Sequence, residues 1–400
     1  MAKRSATATI AGYLYQFDFT IKSLLDLSNE NDSVDIENIE DVDIHSCTED
    51  TAIQCKYYSG TKFNNSIIAK PIRLMLDHYS KVKNKAAQPI NYKLYVFYKS
   101  GQEKLTTPIT VEFLKEHFLT YTEKRIKQKH HDNLRLNDTD LADFLSKLEI
   151  DINAKEDNIQ FQNIISKLKD LFKCDDFEAE HYYYNNALTI ISHIAEKSDT
   201  AQRKITKQDF INQINKKEIL FNKWLVESKG EKFYYAELRK KYFSPININE
   251  RFFLIEITVP FSKQKLKDLL LTISNKWTKI SKREVNPFCP VVYIHNIGEN
   301  DLIELKTELS NSGLIFIDGY AFKGANFSQQ FIVQDANNNN QIKLKIVDTL
   351  DNLELVLQTK GKPHEIYQFY LREPFFESKN KYIKNIKIQF KDLSSIKEII

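Results

Sequence analysis

The sequence predicts an α/β protein in two parts. The first is a core of order α-β-β-β-α-β with a helical extension. The second is a smaller C-terminal α/β domain. Three observations predict this. The apolar period switches from helical to two near Ser33. A second amphipathic helix and a buried strand follow the period-two segments. A fresh β-α-β-α-β order begins after a change of texture near residues 220–245.

The elements follow in order. Ile10, Tyr13, Leu14, Phe17, Ile21, Leu24 and Leu25 recur at helical spacing, which predicts a helix over 9–28. Asn29-Glu30-Asn31-Asp32 breaks it with turn formers. Val34 and Ile36, then Val42 and Ile44, then Ile53, Cys55 and Tyr57 alternate with polar residues, as in three half-buried strands. Pro71 suits a first helical turn, and Ile72, Met75, Leu76, Tyr79 and Val82 form the stripe of that helix. Tyr92–Tyr98 reads as a buried strand closed by Ser100-Gly101. Residues 110–217 are expected to be mainly helical, with polar loops such as His130–Asn133.

Beyond the boundary the expected order is strand 252–259, helix 262–274, strand 291–295, helix 301–309 and strand 314–317. Hairpin-like strands are then expected at 330–333, 342–347 and 353–359, with a turn at Asn337–Asn340. The predicted domains are 1–220 (core 8–100, extension 105–217) and 245–400.

Composition excludes several classes. Forty-two per cent hydrophobic and 12% aromatic residues give a folded chain, not a disordered one. With only 9 glycines there is no G-x-x-x-x-G-K-[ST] and no G-x-G-x-x-G, so a P-loop or dinucleotide-binding first turn is not expected. Cys47, Cys55, Cys174 and Cys289 are scattered without C-x-x-C, which argues against a zinc ribbon or disulfide framework. No apolar run suits a signal peptide or a membrane span, so a soluble cytoplasmic protein is expected. A net charge of +3 means that nucleic-acid binding has to come from a local basic face.

The chemistry lies in Ile36–His45 and Ala52–Tyr58. Asp41 and Asp43 share a face of one strand, and Gln54 and Lys56 share a face of the next. Antiparallel pairing through the turn at 48–51 gathers them at one end of the sheet. A carboxylate is a hard ligand for Mg²⁺, an amide oxygen can supply a second ligand, and a lysine can orient a metal-bound water or stabilise the attacked phosphate. This is the chemistry of metal-dependent phosphodiester hydrolysis. The bland reading is a solvated sheet face, since any such strand alternates. The agreement of the flanking helices and strands decides against it.

With Gly12-Tyr-Leu-Tyr-Gln16, Ile36-Glu37, Glu40-Asp41 and Gln54-Cys-Lys56, the chain resembles the PD-(D/E)XK nuclease superfamily. Within it, the chain is similar to the double-stranded DNA nuclease domain of bacterial anti-phage systems (CBASS, Lamassu-type and HerA-associated). The resemblance covers about residues 8–100 and extends loosely to 217, where Arg203–Phe210 looks like the family's closing helix. It implies a restriction-endonuclease-like fold and a Mg²⁺ (or Mn²⁺) dependent endodeoxyribonuclease. Asp41 would be the principal metal ligand, Gln54 a further ligand and Lys56 the catalytic lysine. Gln16 and Glu40 would be accessory catalytic residues, and Glu37 and Asp43 further acidic ligands. It also implies duplex DNA as substrate, a homo-oligomer, and an SMC-like or HerA-like ATPase or sensor as partner. The sequence departs from the strict superfamily pattern at Gln54, so the metal stoichiometry stays open. Two other readings stay open as well. One is a cyclic-oligonucleotide-gated nuclease, with residues 245–400 as receptor. The other is a non-catalytic DNA-binding scaffold.

Other features read more plainly. His130-His131 has no third ligand at zinc spacing. Cys55 is expected in the core, and Tyr182–Tyr184 in a helix-packing stripe. Lys124-Arg125-Ile-Lys127-Gln-Lys129 suits a solvated helix face or a DNA-backbone track equally. Lys379, Lys381, Lys384, Lys387 and Lys391 suit a lysine-protected edge strand.

Overall fold

Helix α1 runs Ala6–Asp26 in the computed structural model, which describes residues 6–244, 250–322, 324–359, 365–378, 380 and 383–400. It buries Tyr15, Phe19, Ile21 and Leu24, but the start of the expected stripe is different. Ile10, Tyr13 and Leu14 are 56%, 53% and 43% exposed, because these first turns extend past the core instead of lying on it. The strands β1 (Ser33–Ile36), β2 (Val42–His45) and β3 (Asp50–Lys62) form an antiparallel meander, as their period of two requires. Helix α2 (Asn65–Lys83) then crosses to β4 (Asn91–Ser100), which pairs parallel to β3. It starts earlier than Pro71 suggests: Asn64 accepts a hydrogen bond from the Ser66 N–H at 3.1 Å and caps the helix, leaving the proline in the second turn.

The stretch after β4 is less helical than expected. It contains the hairpin β5 (Thr120–Glu123) and β6 (Ile126–Lys129), then β7 (Leu148–Asp151), α3 (Asp157–Phe172), α4 (Asn185–Ala195), β8 (Lys204–Thr206) and α5 (Lys207–Ile214). The sheet order is β7-β4-β3-β2-β1-β8. One face carries α1 and α3 over Val34, Val42, Ile53 and Cys55, and the other carries α2 over Ala52, Tyr92, Leu94 and Val96. His130 meets Asp77 at 2.8 Å and His131 meets Asp132 at 3.4 Å, so the two imidazoles serve different partners. Tyr183 stacks on Phe172 at 4.0 Å, in keeping with a packing stripe.

The chain divides into two units, Met1–Lys216 and Lys217–Ile400. The stretch expected to link domains is instead the helices α6 (Lys217–Lys229) and α7 (Glu231–Leu238), both in the second unit. Pro245 lies outside the described residues. There follow β9 (Arg251–Glu256), α8 (Lys263–Trp277), β10 (Val291–His295), α9 (Glu299–Asn311), β11 (Phe316–Ile317), β12 (Leu344–Val347), α10 (Leu350–Thr359), β13 (Glu365–Tyr370), β14 (Lys384–Gln389) and α11 (Leu393–Ile399). The sheet order is β11-β12-β10-β9-β13-β14, and every pairing is parallel.

Parallel strands need crossovers, so the hairpins expected at the end of the chain do not form. Residues 353–359, expected as a strand, belong to α10: Leu353, Val356 and Leu357 share one helical face and are 0%, 2% and 0% exposed. Residues 330–333 likewise fall in or just after the short helix Gln329–Ile332. Asn337–Asn340 is a turn, closed by the Asn337 side chain accepting from the N–H groups of Asn339 and Asn340. β14 is an edge strand carrying Lys384 and Lys387, whereas Lys379, Lys381 and Tyr382 lie outside the described residues. Among the described residues, no helix is long and apolar enough to cross a membrane.

Candidate active site

β2 and β3 pair with Val42 opposite Ile53, which places Asp41 opposite Gln54 at the point where β2 begins. Beyond Ile53, β3 has no strand partner on that side among the described residues, and side chains meet its backbone at Cys55. Asp41 Oδ2 accepts from the Cys55 N–H at 2.9 Å, and Gln16 Nε2 donates to the Cys55 carbonyl at 3.1 Å. Gln16, on α1, also donates to Asp41 Oδ2 at 2.7 Å, and Lys56 Nζ lies 3.0 Å from the same oxygen. Three donors from two elements therefore fix one carboxylate.

The turn that delivers Asp41 is clamped from both sides. The Glu37 N–H donates to the Asp41 carbonyl at 3.0 Å, and Glu37 adopts φ +54°, a conformation that costs a non-glycine residue energy. Asp43 accepts from the N–H groups of Ile39 (2.6 Å) and Glu40 (3.2 Å). Arg203, just before β8, donates to the carbonyls of Glu37 (2.8 Å) and Lys197 (2.7 Å), and its own carbonyl accepts from the Ile36 N–H. No sequence signal ties Arg203 to this turn, since 166 residues separate it from Glu37.

A cavity of about 320 Å³ opens beside Asp41, lined by Thr9, Gly12, Gln16, Glu37, Asp41 and Lys56 among others. Tyr13, Tyr57 and Tyr58 also line it. Gly12 needs no special backbone, and a Cβ there would meet nothing within 4 Å. Steric crowding therefore does not require a glycine at this point of the cavity wall. The structure thus brings Gln16, Glu37, Asp41 and Lys56 to one cavity and sets the other named residues apart. Gln54 is only 7% exposed, shares the Ala52 face of β3 and does not line the cavity. Asp43 is committed to capping the turn. Its carboxyl is pushed up to about 6 by burial, against the pull of those two N–H groups. Glu40 also lies off the cavity, its carboxyl pushed up to about 8 by burial and by the charges of Asp41 and Asp43. Burial and the neighbouring Asp41 raise Glu37 as well.

Among the described residues, no group of three His, Cys, Asp or Glu side chains is arranged to hold a metal ion. Two carboxylates, Asp41 and Glu37, line the cavity. That donor set fits Mg²⁺, which binds through one or two carboxylates and keeps several waters. Cys55 is fully buried and its thiol is pushed well up by burial, so it is not a nucleophile.

No protein-family model and no curated protein matches the chain. Among solved structures it is similar to the Cap4 SAVED/CARF-domain containing receptor of Acinetobacter baumannii. Against that receptor with the cyclic trinucleotide 3'3'3'-cAAA, identity is 13% over 62% of this chain and 50% of that one, at a TM-score of 0.32. The chain thus spans about half the length of that match. Against the complex with 2'3'3'-cAAA, identity is 11% over 90% of each chain, at a TM-score of 0.31. A third structure of the receptor gives 12% identity over 89% of this chain and 90% of that one, also at 0.31. Scores this low carry no conclusion about fold or ligand.

Proposed function

We propose that the first unit is a restriction-endonuclease-like, metal-dependent DNA endonuclease, the effector of an anti-phage defence system that a partner or signal releases. The observation that supports this reading best is the convergence of Gln16, Asp41 and Lys56 at a cavity wall. There an amide and an ammonium group each lie within 3.0 Å of one carboxylate oxygen. Asp41 and Glu37 would hold the divalent ion. When bound, such an ion lowers the pKa of a water and neutralises charge on the attacked phosphate. The protein's own groups do the positioning. Gln16 and the Cys55 N–H keep the Asp41 carboxylate from rotating. Lys56, a third exposed, presents its ammonium to the cavity and stabilises negative charge on a phosphate oxygen. Arg203 and Asp43 keep the turn in register.

The test is plasmid cleavage with Mg²⁺, with and without a partner ATPase or a panel of cyclic nucleotides. Asp41→Asn and Lys56→Ala are each expected to lower the rate on the order of 10²–10⁴-fold with the fold retained. EDTA is expected to abolish cutting. Cutting that survives in both variants removes the reading. Under it, the second unit serves oligomerisation, partner docking or sensing, and the nucleotide arm of the assay separates sensing from the other two.

A further inference from the structure

The β5–β6 hairpin stands outside both large sheets and carries a charge pattern that the cavity does not use. Its two-residue tip is Lys124-Arg125, at φ +48° and +69°. Two consecutive positive φ values define the tight hairpin turn that Asn-Gly makes at little cost. This chain pays a conformational penalty to keep two long cationic side chains there.

The register adds to the pattern. Thr120 pairs with Lys129, and Thr122 with Lys127, so these four side chains share one face. Thr122, Lys124, Arg125, Lys127 and Lys129 are exposed. Among the described residues none of the four cations takes part in an ion pair, while Lys115 beside the hairpin is paired with Asp138. The one acid on the ribbon, Glu123, pairs with Ile126 on the opposite face. That face is anchored: Arg73 of α2 lies 4.4 Å from the Tyr121 ring and donates to the Phe118 carbonyl. The ribbon is therefore held at its base, where the Thr120 hydroxyl also donates to the Lys115 carbonyl, and presents the exposed Thr122 and uncompensated positive charge outward.

We infer that this hairpin is a contact arm for the phosphate backbone of duplex DNA, separate from the catalytic cavity. Phosphates neutralise the four cations, and the Thr122 hydroxyl and the lysine ammonium groups are donors suited to phosphate oxygens. The inference assumes, with the functional reading above, that the chain works on DNA. It needs neither the metal nor the cavity.

The experiment is fluorescence anisotropy of a labelled duplex bound by the full chain in EDTA across a salt series. The variant Lys124→Ala/Arg125→Ala/Lys127→Ala/Lys129→Ala is expected to bind roughly tenfold or more weakly at moderate salt. Its log affinity against log salt is expected to flatten by about 3 to 4. Lys124→Asn/Arg125→Gly relieves the turn, so it is expected to melt higher than wild type while its salt slope flattens by about 2. Unchanged affinity and slope in this stabilised variant overturns the inference, as does a wild-type chain that does not bind duplex. Hairpin-dependent binding by a chain that never cuts DNA removes the catalytic reading and leaves this one standing. Metal-dependent cutting with hairpin-independent binding does the reverse.

Discussion

The two sheets place their buried polar side chains in opposite ways. In the second unit every strand is parallel, and the sheet is covered on both faces by apolar cores. Its polar insertions are spent internally. Gln368 accepts from the N–H groups of Phe375 and Phe376 and donates to the Phe376 carbonyl. Lys345 meets Glu250 at 2.8 Å, and Arg251 lies 3.9 Å from the Trp277 ring centroid. In the first unit the sheet is mixed, and β3 outlasts β2 on one side. There Gln16, Asp41 and Lys56 converge on space that a ligand can enter, while Asp43 and Gln54 stay inside the fold. Strand direction and strand length, more than composition, separate a polar group spent inside the fold from one that faces open space.

Three perturbations sharpen that contrast. The largest effect is expected in the second unit. Lys345 is 2% exposed at its side chain and its partner Glu250 10%, so Lys345→Ala strips a buried pair. Denaturant unfolding is expected to show a loss of about 3–5 kcal/mol. A loss under about 1 kcal/mol, the range of surface pairs, would break the comparison.

The next probes a buried carboxylate of the first unit. Asp18 accepts from the Tyr184 hydroxyl at 2.7 Å, and burial pushes its carboxyl up to about 6. Folding therefore favours the protonated form. Asp18 contributes most to stability below its unfolded pKa near 4, and that contribution is lost as pH rises toward 6. Asp18→Asn keeps the acceptor and removes the titration. It is expected to match wild type near pH 4 and to exceed it above pH 6 by at most about 3 kcal/mol, read from melts across pH. A variant less stable than wild type at neutral pH would contradict this.

The smallest effect is at Gly12. Alanine meets no neighbour there and is expected to stabilise α1 by about 0.5–1 kcal/mol. Under the proposed function, phenylalanine at the same position is expected to fill the cavity and suppress cleavage while the melt stays put. A melt that drops for alanine would mean that the glycine serves the fold.

Much of the first sheet was legible because one face of each strand is apolar and a period of two is unambiguous over Val34–Tyr57. The pairing of Asp41 with Gln54 follows from that register, and so does the shared face of Gln54 and Lys56. What the register does not tell is which polar group reaches open space. Asp43 looks like a ligand in sequence, yet its oxygens are consumed by two backbone N–H groups. The Arg203 clamp is invisible for a different reason: it contacts carbonyls, which every residue has. The Lys124–Lys129 hairpin was hidden because its tip lacks the Asn or Gly that marks such turns. In the second unit, short apolar runs suit a strand or a buried helix equally, and residues 353–359 fell on the wrong side.

The overhang of β3 has one more consequence. A strand running past its neighbour leaves a bare row of amide groups, the template on which chains stick to each other. Here Asp41, which also lines the cavity, covers the Cys55 N–H of that row, and Gln16 covers the Cys55 carbonyl. Under the proposed function, the carboxylate that would hold the metal thus also covers an amide of the strand edge. Alanine at position 41 would leave that N–H bare, whereas asparagine removes the charge and keeps an acceptor for it.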